Sequence, residues 1–109
     1  MKILKFNENS NKNDPKVGDY VLIDSTTEVI LNFVRNNPGK IIKLNYNDNI
    51  TLSSITVEYY NVPDTIRSYF RYIPDNNIQA RLFYVYQILE IGSTLEELEL
   101  KMQTNKFNL

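Results

Sequence analysis

The chain has 109 residues, 42% of them hydrophobic, and a formal net charge of −1 at pH 7. This length suits one domain with a single core. The chain contains no cysteine and no histidine, which excludes disulfides, thiol nucleophiles, imidazole bases and most protein-built zinc or copper sites. The charge balance argues against broad attraction to nucleic acid, and no apolar run approaches the roughly 20 residues that cross a bilayer. We therefore expect a cytoplasmic protein without metal or cofactor and without a membrane partner.

The amino-terminal segment differs in composition from the rest of the chain. Residues 7–15 carry no large apolar side chain and end in Asp14-Pro15. Such a segment cannot bury enough apolar surface to offset the entropy of ordering. The sequence predicts a flexible leader over residues 1–15 and a single folded domain over residues 16–109.

Short alternating apolar segments separated by turns follow the leader, and they predict a mainly β fold with short helices. The first strand enters at Lys16 and ends near Ile23, the second covers residues 40–46 and the third residues 55–62, with a polar hairpin loop over residues 47–54. Residues 80–91 are interpreted as the last strand, interrupted by a bulge or bend. Apolarity and alternation agree at six positions that we expect to be buried: Ile42, Leu44, Val57, Tyr59, Val85 and Leu89.

Two capping-box patterns predict two helices. Ser25 and Glu28 have the spacing that opens a helix after the first strand, and this helix should end before Asn37-Pro38-Gly39. Ser93 and Glu96 have the same spacing and open a carboxy-terminal helix. Apolar residues at helical spacing predict that both helices pack on the sheet: Val29, Ile30, Phe33 and Val34 in the first, and Leu95, Leu98 and Met102 in the second.

Three of these segments carry a resemblance to a known fold. Val17-Gly18-Asp19-Tyr20-Val21, Gly39-Lys40-Ile41-Ile42 and Thr56-Val57-Glu58-Tyr59 resemble the entry, kink and third strand of SH3-like barrels of the KOW and Tudor kind. This resemblance implies a small SH3-like antiparallel barrel with an inserted helix after strand 1 and a carboxy-terminal helix.

A narrower resemblance covers residues 16–109. Through segments such as Asn61-Val62-Pro63, Tyr69-Phe70 and Glu96-Glu97-Leu98-Glu99, the chain resembles small uncharacterised proteins of tailed bacteriophages. This resemblance implies an accessory or host-takeover role in the host cytoplasm.

One cluster combines arginine and tyrosine, the residue types that anchor many binding surfaces. It consists of Arg67, Tyr69, Arg71 and Tyr72, with Arg81 following the next turn. Arg67 and Arg71 are four residues apart, so a helical turn would place them on one face. Alternatively, the cluster is structural: Phe70 and one tyrosine enter the core, and the arginines pair with acids such as Asp64 or Asp75.

These features lead to three functional hypotheses. The first is a non-catalytic interaction module that binds a protein partner through the arginine and tyrosine cluster. The second is a nucleic-acid-binding module in which a stripe of cations faces phosphates: Arg67, Arg71, Arg81, Lys40 and Lys43. The third is an enzyme or small-ligand protein that uses carboxylates and tyrosines in a pocket. The position of the five cations in space discriminates between the first two hypotheses.

Overall fold

A computed structural model describes residues 14–25 and 27–107, with side chains described as far as Gln103. Within those residues the fold is mainly β, with five antiparallel strands in one open sheet and two α-helices. In chain order the elements are β1 (Tyr20–Ile23), α1 (Glu28–Asn36), β2 (Gly39–Asn47), β3 (Thr51–Glu58), a 3₁₀ helix (Asp64–Tyr69), β4 (Ala80–Tyr84), a 3₁₀ turn (Val85–Gln87), β5 (Ile88–Gly92) and α2 (Leu95–Phe107).

The leader predicted over residues 1–15 is described only at its end. Asp14 is exposed and Pro15 is buried. Residues 1–13 and Thr26 lie outside the described residues, and so does that part of the leader prediction.

The strand order in the sheet is β4-β3-β2-β1-β5. The interpretation of residues 80–91 as one strand was wrong, because β4 and β5 lie at opposite edges of the sheet. The Gln87 side chain ends β4: its Oε1 accepts from the Tyr84 N–H at 2.8 Å, and its Nε2 donates to the Asp24 carbonyl at 3.4 Å. These two bonds direct the chain away from β3 and onto β1.

The hairpin between β2 and β3 is tighter than the loop predicted over residues 47–54. Asp48 and Asn49 both have positive φ, of 55° and 60°, and the Ile50 N–H donates to the Asn47 carbonyl at 3.0 Å. Two consecutive residues with positive φ form a tight turn that suits the short polar side chains of Asp and Asn, and the connection between the two strands is only three residues long, 48–50. Strand β3 therefore begins already at Thr51.

The core lies on one face of the sheet and is closed by α1 and the 3₁₀ helix. Among the positions expected to be buried, Val57 and Tyr59 are confirmed. The other four are half-buried: Ile42, Leu44, Val85 and Leu89. A shift of register in β2 between Ile41 and Lys43 explains part of this difference, because it makes Ile41 the fully buried residue.

An aromatic cluster surrounds Tyr59. Its ring centroid lies 5.5 Å from that of Phe33, 5.3 Å from that of Phe70 and 6.5 Å from that of Phe83. Gly39 lets β2 pass close to this ring, since a Cβ there would stand 2.7 Å from the Tyr59 ring. The buried Tyr59 hydroxyl has no hydrogen-bond partner among the described residues, and burial raises the pKa of this phenol.

Helix α1 follows the predicted range, but its start differs. The predicted capping box does not form, because the helix begins at Glu28 and the Ser25 hydroxyl accepts from the Thr27 N–H at 3.0 Å instead. Ile30 and Val34 are buried, whereas Val29 is exposed and lies off the packing face.

The cap of α2 lies one residue later than predicted. The Thr94 hydroxyl accepts from the Glu97 N–H at 3.0 Å, and the Glu97 carboxylate accepts from the Ser93 N–H at 2.6 Å and the Ser93 hydroxyl at 2.9 Å. These bonds from Ser93 lower the pKa of Glu97. Leu98 is fully buried, while Leu95 is exposed and takes no part in the predicted packing face.

Helix α2 approaches β5 closely. A Cβ at Gly92 would stand 2.8 Å from the Leu98 backbone nitrogen, so this approach requires glycine. The Lys101 ammonium donates to the Ile91 carbonyl at 2.6 Å. The helix is thereby fixed to the strand at one edge of the sheet.

The observed cap gives a first expectation. Thr94→Ala should lower the free energy of unfolding by about 1 kcal/mol, because it removes the hydroxyl that caps α2. Ser93→Ala should cost less, since its backbone N–H still bonds Glu97. Urea denaturation at pH 7 measures both, and a larger loss for Ser93→Ala would contradict this cap.

The free energy of unfolding should also depend on pH through the Glu97 carboxylate. Its folded-state pKa lies below the ordinary value of 4.5, so its contribution to stability is present above that pH and is lost as the pH falls through the folded-state pKa. Glu97→Gln should therefore lower stability at neutral pH and have no effect in strong acid.

The Tyr59 hydroxyl gives a second expectation. Tyr59→Phe should leave the free energy of unfolding unchanged or raise it by up to about 1 kcal/mol, because it removes a buried polar group without a partner. Tyr60→Phe is the matched control, since the Tyr60 hydroxyl is exposed and bonds Glu58 at 3.3 Å. A clear loss of stability in Tyr59→Phe would show that the hydroxyl is hydrogen-bonded in solution.

Candidate functional site

The 3₁₀ helix positions the first part of the arginine and tyrosine cluster. Pro63 precedes it with φ of −58°, and Ile66 and Phe70 anchor it in the core. Tyr69 consequently lies at the surface. The helix ends at Tyr69, so Arg71 lies beyond it, and the expectation that Arg67 and Arg71 share a helical face was wrong.

Arg67 is held by its own segment. Its guanidinium lies 2.8 Å from the Asp64 carboxylate and donates to the Val62 carbonyl at 3.1 Å. This pair is the one that the structural alternative anticipated. Because both side chains are more than half exposed, water screens the pair and it stabilises the fold little.

Arg81 joins three parts of the structure. It is paired in register with Val57, which places it on the core face of the sheet. Its guanidinium donates to the Tyr69 carbonyl at 3.1 Å and to the Thr27 hydroxyl at 3.3 Å. Its Cζ lies 6.0 Å from the centroid of the Tyr69 ring and 5.9 Å from that of Phe83. The structure thus brings Arg81 and Tyr69 together, as the cluster requires.

The remaining two members of the cluster follow the 3₁₀ helix. Arg71 is exposed, with no ion pair or hydrogen bond to another described residue, and Tyr72 is half-buried. Asp75 makes no ion pair with Arg71 in the described part of the chain; its carboxylate accepts from the Asn77 N–H at 2.9 Å. Arg71 is therefore a free cation in the part of the chain that the structure describes.

Lys40 and Lys43 project from the other face of the sheet. They are paired in register with Glu58 and Thr56, which alternate with the buried Val57. Side chains of adjacent residues in a strand point to opposite faces, so these lysines lie opposite the face that carries Arg81. The five cations do not line one stripe.

The sequence reasoning overlooked an aromatic pair at the end of β4. The rings of Tyr84 and Tyr86 stack with centroids 5.6 Å apart and an interplanar angle of 2°. Both are about half exposed, as is Leu82. The three residues are spaced by two in the sequence, and this alternation was the signal that would have placed them on one outward face.

One small open cavity, of about 90 Å³, lies between the beginning of β1, the end of β5 and α2. Its lining mixes carboxylates and amines: Asp14, Asp19, Glu97, Lys16 and Lys101. Glu97 and Lys101 are already engaged by Ser93 and the Ile91 carbonyl. Pockets for drug-sized ligands typically measure ~300–1,000 Å³.

The described residues lack two further kinds of functional feature. They contain no helix that combines the length and apolarity needed to cross a bilayer. They also contain no group of three acidic side chains placed to hold a metal ion.

Comparison with known proteins found no matching family model, curated protein or solved structure.

Arg81 bonds two other segments of the chain, whereas Arg71 bonds no other described residue, and this difference gives a third expectation. Arg81→Ala should lower the free energy of unfolding by about 1–3 kcal/mol, because it leaves two acceptors without their charged donor. Arg71→Ala, the matched control, should change it by less than about 0.5 kcal/mol. Thermal or urea denaturation of both variants measures this difference, and equal effects would contradict the assignment.

Proposed function

We propose that the protein is a non-catalytic interaction module that binds a protein partner through an arginine–tyrosine surface. This surface consists of Arg67, Tyr69, Arg71, Tyr72 and Arg81. The observation that carries the proposal is the hydrogen bond from the Arg81 guanidinium to the Tyr69 carbonyl. It fixes the Tyr69 backbone, while the Tyr69 ring and Arg71 remain exposed.

A fixed surface of this kind suits protein recognition. Tyrosine and arginine supply large contact areas and directional hydrogen bonds, and they dominate the residues whose truncation weakens interfaces most. Holding such groups in place before binding reduces the entropy lost when the partner arrives. Arg81 and Arg67 provide this support, and Arg71 remains free to pair with a partner carboxylate.

The topology supports the SH3-like type for this module. Strand β1 pairs with both β2 and β5, while β2, β3 and β4 form a meander. A 3₁₀ turn joins the two edge strands β4 and β5. Pairing of the first strand with the last around a three-stranded meander is the connectivity expected of a small SH3-like barrel.

The placement of the cations favours a protein partner over nucleic acid. Lys40 and Lys43 lie on the face opposite Arg81, and Asp64 neutralises Arg67. Binding to a phosphate backbone draws its affinity from several cations acting on one track. From the resemblance to small tailed-bacteriophage proteins we carry forward the proposal that the partner is a host or phage protein in the host cytoplasm.

The test begins with capture of partners from a bacterial lysate on the immobilised domain at two salt concentrations. For each captured partner, Arg71→Ala and Tyr72→Ala should weaken binding by about tenfold or more, since hot-spot truncations cost about 2 kcal/mol. Lys43→Ala is the matched control, an exposed cation on the opposite face, and should bind like the parent. The melting temperature of Arg71→Ala should not change.

Two results would contradict the proposal. If Arg71→Ala and Tyr72→Ala bind every partner as the parent does, the surface is structural. If the captured partner is nucleic acid and the Arg67→Ala, Arg71→Ala double variant flattens the salt dependence by about one unit for each lost phosphate contact, the module binds nucleic acid instead.

A further inference from the structure

No described strand pairs with the outer edge of β4. β4 is the last strand on its side of the sheet, and its exposed side chains there are Leu82 and Tyr84, neither of them charged. Natural edge strands usually carry charges, prolines or bulges, or lie beneath another element, which prevents pairing with other chains. β4 carries no proline and no shift of register against β3, and its one charged residue is Arg81, which points to the core face.

The backbone groups that face outward can be identified from the register. Tyr59 donates its N–H to the Gln79 carbonyl, so Arg81 and Phe83, which follow Gln79 at intervals of two, direct their backbone groups to β3. Ala80, Leu82 and Tyr84 direct theirs away from the sheet. The Tyr84 N–H is taken by Gln87, but the backbone groups of Leu82 bond no other described residue.

At the other edge of the sheet, β5 is covered by a helix. Helix α2 packs against β5, with Leu98 pressed onto Gly92, and the Lys101 ammonium occupies the Ile91 carbonyl. Because α2 covers β5 while no described strand pairs with the outer edge of β4, β4 is the edge at which a further strand can pair.

The surroundings of this edge define the chemistry of an added strand. On the outward face Leu82 lies beside the stacked pair of Tyr84 and Tyr86, which suits apolar side chains. On the core face Arg81 donates to a carbonyl and a hydroxyl, and no described carboxylate pairs with it. Its charge is therefore uncompensated and suits an acidic side chain.

We propose that an extended segment of the protein partner adds to β4 as a further strand, with apolar side chains over Leu82 and Tyr84 and a carboxylate beside Arg81. Backbone hydrogen bonds supply the affinity in this mode of recognition, and alternate side chains supply the specificity. This inference rests on the proposed function, since it specifies how the partner binds.

The test uses a synthetic peptide as the probe: acetyl-Thr-Val-Glu-Val-Thr-Val-Thr-amide, titrated into isotope-labelled protein and followed by NMR. As the peptide is titrated to about 1 mM, its binding should shift the amides of Ala80 and Leu82 most strongly. Replacing the peptide glutamate by lysine should weaken binding by about threefold, which corresponds to a partly screened ion pair.

Changes in peptide and protein test the strand pairing separately. Methylating the peptide amides of one alternate set should weaken binding by about tenfold, and methylating the other set should not, because only one set faces β4. Leu82→Ala should weaken binding, whereas Ile50→Ala, a matched truncation in the β2–β3 turn, should not. The peptide changes leave the protein intact, so they remain informative if a variant is destabilised.

Three results would overturn the inference. They are shifts confined to other residues, equal effects of both methylation patterns, and a concentration-dependent dimer that Leu82→Pro dissociates, which would make a second copy of this chain the occupant. If Arg71→Ala abolishes capture of a partner while Leu82→Ala does not, the proposed function stands and the added strand is refuted. If neither variant affects capture, both proposals fail.

Discussion

The 3₁₀ turn at Val85–Gln87 determines much of the remaining architecture. Gln87 is a nearly buried polar residue whose amide satisfies the Tyr84 N–H on one side and the Asp24 carbonyl on the other. A buried amide in this position is costly unless both of its ends are bonded, so the turn has little freedom to vary. The turn ends β4 and begins β5, which pairs with β1. It therefore leaves β4 at the open edge of the sheet and places β5 at the edge that α2 covers.

The aromatic cluster couples this sheet to the candidate binding surface. Tyr59 and Phe83 contribute rings from the strands, Phe33 from α1, and Phe70 from the end of the 3₁₀ helix. Packing Phe70 into this cluster fixes the segment that presents Tyr69 and Arg71. The surface is therefore supported by the core and not by a loop alone, which is the condition for a preorganised site.

Arg81 combines two roles that sequence patterns do not separate. It has the residue type of an interface anchor, but its guanidinium already bonds two segments of its own chain. This guanidinium is held in position and lacks an acidic counterpart among the described residues. Arg71, by contrast, is exposed and bonds no other described residue, so under the proposed function the two arginines would affect stability and binding separately.

The sequence alone determined the features that depend on local periodicity. Alternation in β3 placed Ile55, Val57 and Tyr59 in the core, and the proline and glycine after α1 ended that helix where expected. The capping residue of α2 was identified to within one position, whereas the N-cap of α1, Thr27, makes no side-chain capping bond. The arginine and tyrosine cluster was recognised as a group, but not the contacts that distinguish its members.

Only the tertiary structure decided which strands lie at the edges, which arginine is structural and where the tyrosine pair stacks. The bonds responsible join residues far apart in the chain, with Gln87 bonded to Asp24 across 63 positions and Arg81 to Thr27 across 54. Local patterns report which face of a strand is apolar, but they carry no information on which distant backbone group a polar side chain will meet. That choice is made when the sheet closes on its core.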